Sequence, residues 1–184
     1  MLNFSKNEII NNPFNMDIVE MLIDDSTNSW AAPSEKRYLG KEQKNWVKKL
    51  SESGQDYMNS QMPYFKGRWE FEFFHSEVNV LYHTDTIKGN NGDMGFILPI
   101  DWEGHEPATI MYNWWSDRRV MFAGKGEIRY EDNNELALLV RDIPSVALTF
   151  EWDKEKALLF DCKQLHSARA FKDSWKEFII GFVV

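Results

Sequence analysis

Cysteine is almost missing from this chain. Cys162 stands alone, so no disulfide can form within the molecule and the fold must rest on packing, which suits a reducing compartment. An excess of basic residues is missing too. With 29 acidic against 21 basic side chains the formal net charge is −8, so no basic field concentrates polyanions or anionic lipid. Nucleic acid and membrane surfaces are therefore disfavoured as partners. No apolar run approaches the roughly 20 residues that cross a bilayer. Met1-Leu2-Asn3-Phe4-Ser5-Lys6 lacks the basic stretch followed by an apolar one that marks a secretory signal. Internal repeats and low-complexity tracts are also lacking. Together these absences predict a cytoplasmic protein.

Aromatic residues, by contrast, are plentiful: 13 Phe and 8 Trp lie in a chain of 184 residues that is 43% hydrophobic. That is enough apolar surface to offset chain entropy and fill one core, but the chain is short for two ordinary domains. A single domain spanning residues 1–184 is expected. Its character changes near residue 65. In residues 1–64 apolar side chains recur at helical spacing, with Ile18, Met21 and Leu22 in one stripe and Trp46, Leu50, Tyr57 and Met58 in another that Pro63 closes. This predicts a helical N-terminal support layer.

From 65 to 184, short runs with period-two or continuous β-branched and aromatic character take over. Candidate strands are Arg68 to Phe74, Glu77 to Asp85, Met94 to Pro99, Ala108 to Trp115, Lys125 to Tyr130, Leu136 to Arg141, Val146 to Trp152, Ala157 to Asp161 and Glu177 to Val184. Turn residues separate them, as in Gly89-Asn90-Asn91-Gly92-Asp93. No strand is followed by a helix long enough for a parallel crossover, so the sheets should be antiparallel. The expected class is mainly β with N-terminal helices, a two-sheet jelly roll.

In the run from Glu77 to Asp85, side chains alternate between two faces. Val78, Val80 and Tyr82 form an apolar face suited to lie under the N-terminal helices, while Asn79, Leu81, His83 and Asp85 share the other. His83 and Asp85 thus stand side by side as two strong metal-ligating groups. Two imidazoles and one carboxylate on one face of an octahedron leave adjacent positions open, the arrangement by which non-haem Fe(II) takes up O2 and a co-substrate. The second imidazole has three candidates. His105 sits in a Gly/Pro loop and His75 in an expected hairpin turn; His166 follows the buried-looking Ala157-Leu158-Leu159-Phe160-Asp161 and is the strongest.

Ten residues after His166, Lys176 opens the last strand on the face it shares with Phe178, Ile180 and Phe182. An ammonium on an apolar face loses several kcal/mol of hydration unless an anion meets it, so a bound carboxylate is predicted there. A lysine snorkelling from the strand end is the bland alternative.

His83-x-Asp85, a distal His166 introduced by ALLFDCKQLHSA, and a basic residue ten positions later leading into EFIIGFVV resemble the signature of the Fe(II)/2-oxoglutarate-dependent oxygenase superfamily, in particular its compact bacterial and phage members. The resemblance covers roughly residues 65 to 184. It implies a double-stranded β-helix, cupin-like in shape, in which 2-oxoglutarate and O2 are consumed, succinate and CO2 are released, and a hydrogen of the substrate is replaced by hydroxyl. It also implies that His83, Asp85 and His166 are the iron ligands and that Lys176 holds the distal carboxylate of 2-oxoglutarate. Where many relatives carry a serine or threonine two residues beyond the basic one, this chain has Phe178, so a second hydroxyl donor is expected from Thr109, Tyr112 or Tyr64. Asp85 favours hydroxylation, because the halogenating branch lacks this carboxylate.

Other residues have plainer readings. Ser116-Asp117-Arg118-Arg119 is a local basic cluster that could grip an anion but is more commonly a solvated turn. Arg169 is read as a surface cation, Trp114 and Trp115 as divided between core and cleft, and Asp161 and Cys162 as shaping and packing a turn. The substrate class left open is a small metabolite or a peptide. Two alternatives stand beside the oxygenase: a non-catalytic jelly-roll binding module, and a cupin-like metalloenzyme that needs no 2-oxoglutarate.

Overall fold

Two separate apolar cores face the opposite sides of one sheet, and strand alternation decides which side chain enters which. A computed structural model of the chain describes residues 7–24, 36–38, 41–43, 45–62, 67–77, 82–85, 94–104, 107–124, 127–130, 136–139, 144–168 and 175–184. In chain order the elements begin with β1 (Glu8–Asn11), α1 (Met16–Asp24), β2 (Lys36–Tyr38), β3 (Lys41–Gln43), β4 (Asn45–Lys49), α2 (Glu52–Gln61) and β5 (Trp69–Ser76). Then come β6 (Met94–Trp102), β7 (Ala108–Trp115), β8 (Val120–Gly124), β9 (Glu127–Tyr130) and β10 (Leu136–Leu139). The last are β11 (Val146–Glu151), β12 (Lys156–Asp161), β13 (Gln164–Ala168) and β14 (Lys176–Val183).

Six strands form the larger sheet in the order β1-β12-β6-β14-β5-β4, and every neighbouring pair is antiparallel. A three-stranded sheet, β11-β7-β13, covers one of its faces, and a further antiparallel trio, β10-β9-β8, continues from there. The two-sheet, antiparallel architecture expected from the sequence is present.

On β6, β12 and β14 the alternation is regular. Phe96, Leu98, Leu159 and Ile179 face α1 and α2 and join Phe14, Val19, Ile23, Met58 and Phe71 in one core. Ile97, Leu158, Phe160, Phe178, Ile180 and Phe182 face the smaller sheet, where they meet Met111, Phe150 and Trp152 in a second. Burying each large apolar side chain contributes about 1.5–3 kcal/mol. The second core holds the candidate site.

Helix α2 completes the larger sheet with side chains. Ser51 caps it by accepting the Gly54 amide at 3.2 Å. Beyond the point where β4 ends, Gln55 donates to the Phe71 carbonyl at 2.6 Å and accepts the Phe71 amide at 2.9 Å. One turn on, Asn59 does the same for Trp69, at 2.9 and 2.8 Å. Two amides thus replace a missing strand neighbour.

Several sequence expectations are corrected. The stripe from Trp46 to Met58 is not one helix: Trp46 lies on β4, paired with His75, and only Glu52–Gln61 is helical. Leu50 sits at the break, where a strand residue and a helix residue mimic helical spacing. The N-terminal third therefore contributes strands as well as helices. His75 belongs to β5 rather than a turn, with Nδ1 2.8 Å from Glu177 Oε1. The run expected from Glu77 to Asp85 is not one described strand. Residues 78–81 lie outside the described residues, and His83 forms only isolated bridges to Met121 and His166. Tyr82 packs with Tyr112, Val120 and Leu165 on the smaller sheet instead of under the helices. Tyr64, His105 and Arg169 lie outside the described residues.

Candidate metal centre

His83, Asp85 and His166 meet. Their ligand atoms all lie within 4.8 Å of one another, with His83 Nε2 3.6 Å from Asp85 Oδ1 and His166 Nε2 3.2 Å from Asp85 Oδ2. Backbone pairing enforces this. His83 and His166 exchange both amide–carbonyl hydrogen bonds at 2.9 Å, and the Asp85 amide donates to the Cys162 carbonyl at 2.9 Å. The β12–β13 turn that contains Cys162 is thereby tied to the ligand pair.

Thr84, fully buried between the two ligands, turns the other way. Its hydroxyl accepts the Val120 amide at 3.1 Å, and its own amide donates to the Val120 carbonyl at 3.2 Å. This clamps the start of β8 beside the site. In His-x-Asp, the central residue is thus a structural fastener.

The donor set suits a divalent metal. His166 Nδ1 lies 2.9 Å from the Gln164 carbonyl, which can only accept, so Nδ1 carries the proton and Nε2 is left to face Asp85. Pairing with β7 slips between Gln164 and His166, which lets this carbonyl reach the ring. Burial on its own would raise the Asp85 carboxyl, but the charge and hydrogen bond of His166, with His83 and Arg119, hold it well below the usual carboxylate range. Burial opposes a charge on His166, yet Asp85 draws its pKa upward. A cation arriving here meets an ionised carboxylate and displaces at most an imidazole proton. The side chain of His83 is 22% exposed against 4% for His166, so the open side of the centre is at His83.

Phe160 stands against His166 with ring centroids 5.2 Å apart, and Met111 is the cross-strand partner of His166. Lys176 lies on the same lining, 3% exposed, its Nζ 5.4 Å from the Trp152 ring and 5.5 Å from that of Phe178. Burial depresses its pKa to about 8. Trp152 Nε1 donates to Thr109 Oγ1 at 3.1 Å, and Thr109 is two residues along β7 from Met111. Lys176, Thr109 and His166 therefore each adjoin side chains of the second core.

Tyr112 is placed otherwise. It alternates with Met111, packs against Tyr82 on the far face of the smaller sheet, and its hydroxyl lies 3.2 Å from Ser167 Oγ. Of the two described hydroxyls expected beside Lys176, only Thr109 faces the second core. Thr84, the Gln164 carbonyl, Trp152 and Phe160 were not anticipated as parts of the site. For Phe160 the signal was alternation within β12, and for Trp152 the continuation of that of β11; for the other two, no local pattern exists.

What these elements define is a pair of facing antiparallel sheets with a His-x-Asp…His group that could hold a metal ion. No protein-family model and no curated protein matches the chain. Solved structures do. A Pseudomonas putida prolyl-4-hydroxylase superposes with a TM-score of 0.56 at 8% identity, over 99% of this chain and 94% of that one. A Burkholderia pseudomallei oxidoreductase of the 2OG-Fe(II) oxygenase family gives 0.53 at 6% identity, over 98% and 86%. Escherichia coli ycfD gives 0.54 at 11% identity over 100% of this chain, which spans about half (51%) of that protein. The chain shares with these structures its fold, a jelly roll.

Proposed function

We propose that this protein is an Fe(II)- and 2-oxoglutarate-dependent dioxygenase that hydroxylates a small metabolite or a peptide side chain. One observation supports it above all: two imidazoles and a carboxylate converge, and His166 and the buried Lys176 both adjoin the second core. When bound, iron and 2-oxoglutarate would supply the oxidising power, with release of succinate and CO2.

The chain's residues divide the remaining work. His83, Asp85 and His166 would hold Fe(II), leaving adjacent positions for the co-substrate and O2. The Gln164 carbonyl fixes the His166 tautomer, and Thr84 fixes the loop opposite Asp85. Lys176 would meet the distal carboxylate of 2-oxoglutarate, with Thr109 or Trp152 as a neighbouring polar contact. Phe160, Met111 and Phe178 exclude water, which strengthens that charge pair. We place the protein in the cytoplasm, without a nucleic-acid or membrane partner; among the described residues no helix is long and apolar enough to cross a membrane.

Anaerobic addition of Fe(II) and then 2-oxoglutarate should produce a weak visible charge-transfer band, and admission of air should release succinate. Metal binding without the band, and activity that survives Lys176→Ala, would point instead to a metalloenzyme that does not use 2-oxoglutarate.

A further inference from the structure

Asn7, the residue before β1, and Gln164, the first residue of β13, join their side-chain amides: Asn7 Nδ2 donates to Gln164 Oε1 at 2.8 Å. Each amide also holds a backbone group. Gln164, 2% exposed, donates through Nε2 to the Tyr112 carbonyl of β7 at 2.7 Å, and Asn7 Oδ1 accepts the Asp161 amide at the end of β12 at 3.3 Å. These backbone groups fix the direction of the relay. A carbonyl only accepts and an amide N–H only donates, so Gln164 must turn nitrogen to Tyr112 and oxygen to Asn7, and Asn7 must turn nitrogen to Gln164 and oxygen to Asp161. One run of three hydrogen bonds thus ties β12, the start of β1, β13 and β7 together.

The relay ends where the ligands are held. Pairing of β13 with β7 slips between Gln164 and His166, and Tyr112 lies in the stretch of β7 that the slip passes over. The same slip carries the Gln164 carbonyl to His166 Nδ1 at 2.9 Å. In the turn between β12 and β13, the Cys162 carbonyl accepts the Asp85 amide at 2.9 Å. Asn7 therefore grips both ends of the segment, Asp161 and Gln164, whose carbonyls hold two of the three ligands. Provided that His83, Asp85 and His166 bind a metal, as the proposed function requires, we propose that Asn7 is a positioning residue of this centre, acting through Gln164 on His166. Asn7 touches no ligand itself. Its loss takes from the buried Gln164 oxygen the donor that orients the amide, and an amide free to turn no longer holds Tyr112 and the slip that sets the His166 ring.

The test uses the full-length protein and Mn(II) alone, titrated through the paramagnetic resonance signal of the free ion, with denaturant unfolding of each variant alongside. Asn7→Leu removes both hydrogen bonds at similar volume. Asn11→Leu is the control: at the other end of β1, Asn11 Oδ1 accepts Lys156 Nζ at 2.6 Å, so this variant also loosens the hold of β1 on β12. Asn7→Leu should weaken Mn(II) binding about tenfold, the lower end of the loss when a contact supporting a ligand is removed. Asn11→Leu should leave Mn(II) binding unchanged. Gln164→Met should weaken it at least as much as Asn7→Leu, and Asn7→Leu should add no further loss in that background, because members of one hydrogen-bond network do not act additively. If Gln164→Met does not fold, Asn7→Leu against Asn11→Leu decides alone. Unchanged affinity in Asn7→Leu, an equal loss in Asn11→Leu, or losses from Asn7→Leu and Gln164→Met that multiply in the double variant would overturn the proposal. Failure of the unaltered protein to bind Mn(II) is a separate result, which removes the proposed function and this inference with it.

Discussion

Asp85 Oδ2 lies 3.2 Å from Nε2 of His166, whose other ring nitrogen is committed to the Gln164 carbonyl. The carboxylate and the imidazole thus face each other in an arrangement that could hold one cation. His83→Ala and His166→Ala should each weaken Fe(II) or Mn(II) binding by on the order of a hundredfold, at or beyond the upper end of losses seen when only a supporting contact is removed. Titration of the metal against intrinsic tryptophan fluorescence measures this, and far-ultraviolet dichroism checks that the fold persists. A variant that binds metal normally removes its residue from the ligand set.

The convergence of His83 and Asp85 was legible from their i, i+2 spacing and the burial of Lys176 from the alternation of β14, both local signals. His166 was legible through the buried strand before it, although β13 itself was not foreseen. Trp46 and Leu50 misled because one sits on a strand and the other just after it, four residues apart, and pairing with β5 decides the conformation there. The sequence of β7 shows that Thr109 and Tyr112 face opposite ways, but not which way is inward; that depends on Trp152 and Phe150 arriving from β11 and its following turn. Asn7 meets Gln164 across 157 positions of the chain, a pairing that no local pattern encodes.

Buried Lys176 should make the unloaded protein's stability depend on alkaline pH. Its folded pKa is depressed from 10.5 to about 8, so between those values the unfolded chain binds more protons and stability rises with pH. The full difference is about 3 kcal/mol. Below about pH 8 the folded protein carries the whole cost of the buried ammonium; above about 10.5 the cost is gone. Lys176→Met should therefore stabilise the unloaded protein at neutral pH by up to this amount, with the advantage fading across the window, while 2-oxoglutarate binding falls by about tenfold or more. Urea unfolding of both proteins near pH 7 and near pH 10 gives the comparison. A stability difference independent of pH would contradict the burial of a charged lysine here.

Gly95 leaves room for the Phe160 ring that lies against His166. A Cβ added at Gly95 would come within 2.3 Å of Phe160 Cζ, and the two residues are cross-strand partners on the same face. Gly95→Ala must therefore push the ring toward the metal centre or part the strands. A loss of about 1–3 kcal/mol is expected from overpacking, accompanied by weaker metal binding because His166 lies behind the ring. Phe160→Leu in the same background should recover stability by vacating the space. If Gly95→Ala leaves both stability and metal affinity unchanged, the close approach of ring and backbone is not a constraint.

Gln55 and Asn59 carry a prediction that concerns the fold apart from the chemistry. In an antiparallel strand alternate residues present both backbone groups to the same neighbour. Phe73 and His75 face β4, whereas Phe71 and Trp69, further along β5, face the two helical amides. Replacing either amide by leucine keeps apolar volume but strands one amide and one carbonyl at a residue whose side chain is buried, at about 1–3 kcal/mol for each group. Gln55→Leu and Asn59→Leu should thus each lower stability by about 2–6 kcal/mol in denaturant unfolding, while Ser60→Ala, on the exposed side of α2, should change it by less than about 0.5 kcal/mol. Metal affinity of the folded fraction should be unaffected, because the helix lies across the larger sheet from His83, Asp85 and His166. Equal stability of the leucine variants would mean that water satisfies those groups and that α2 rests on its apolar contacts alone.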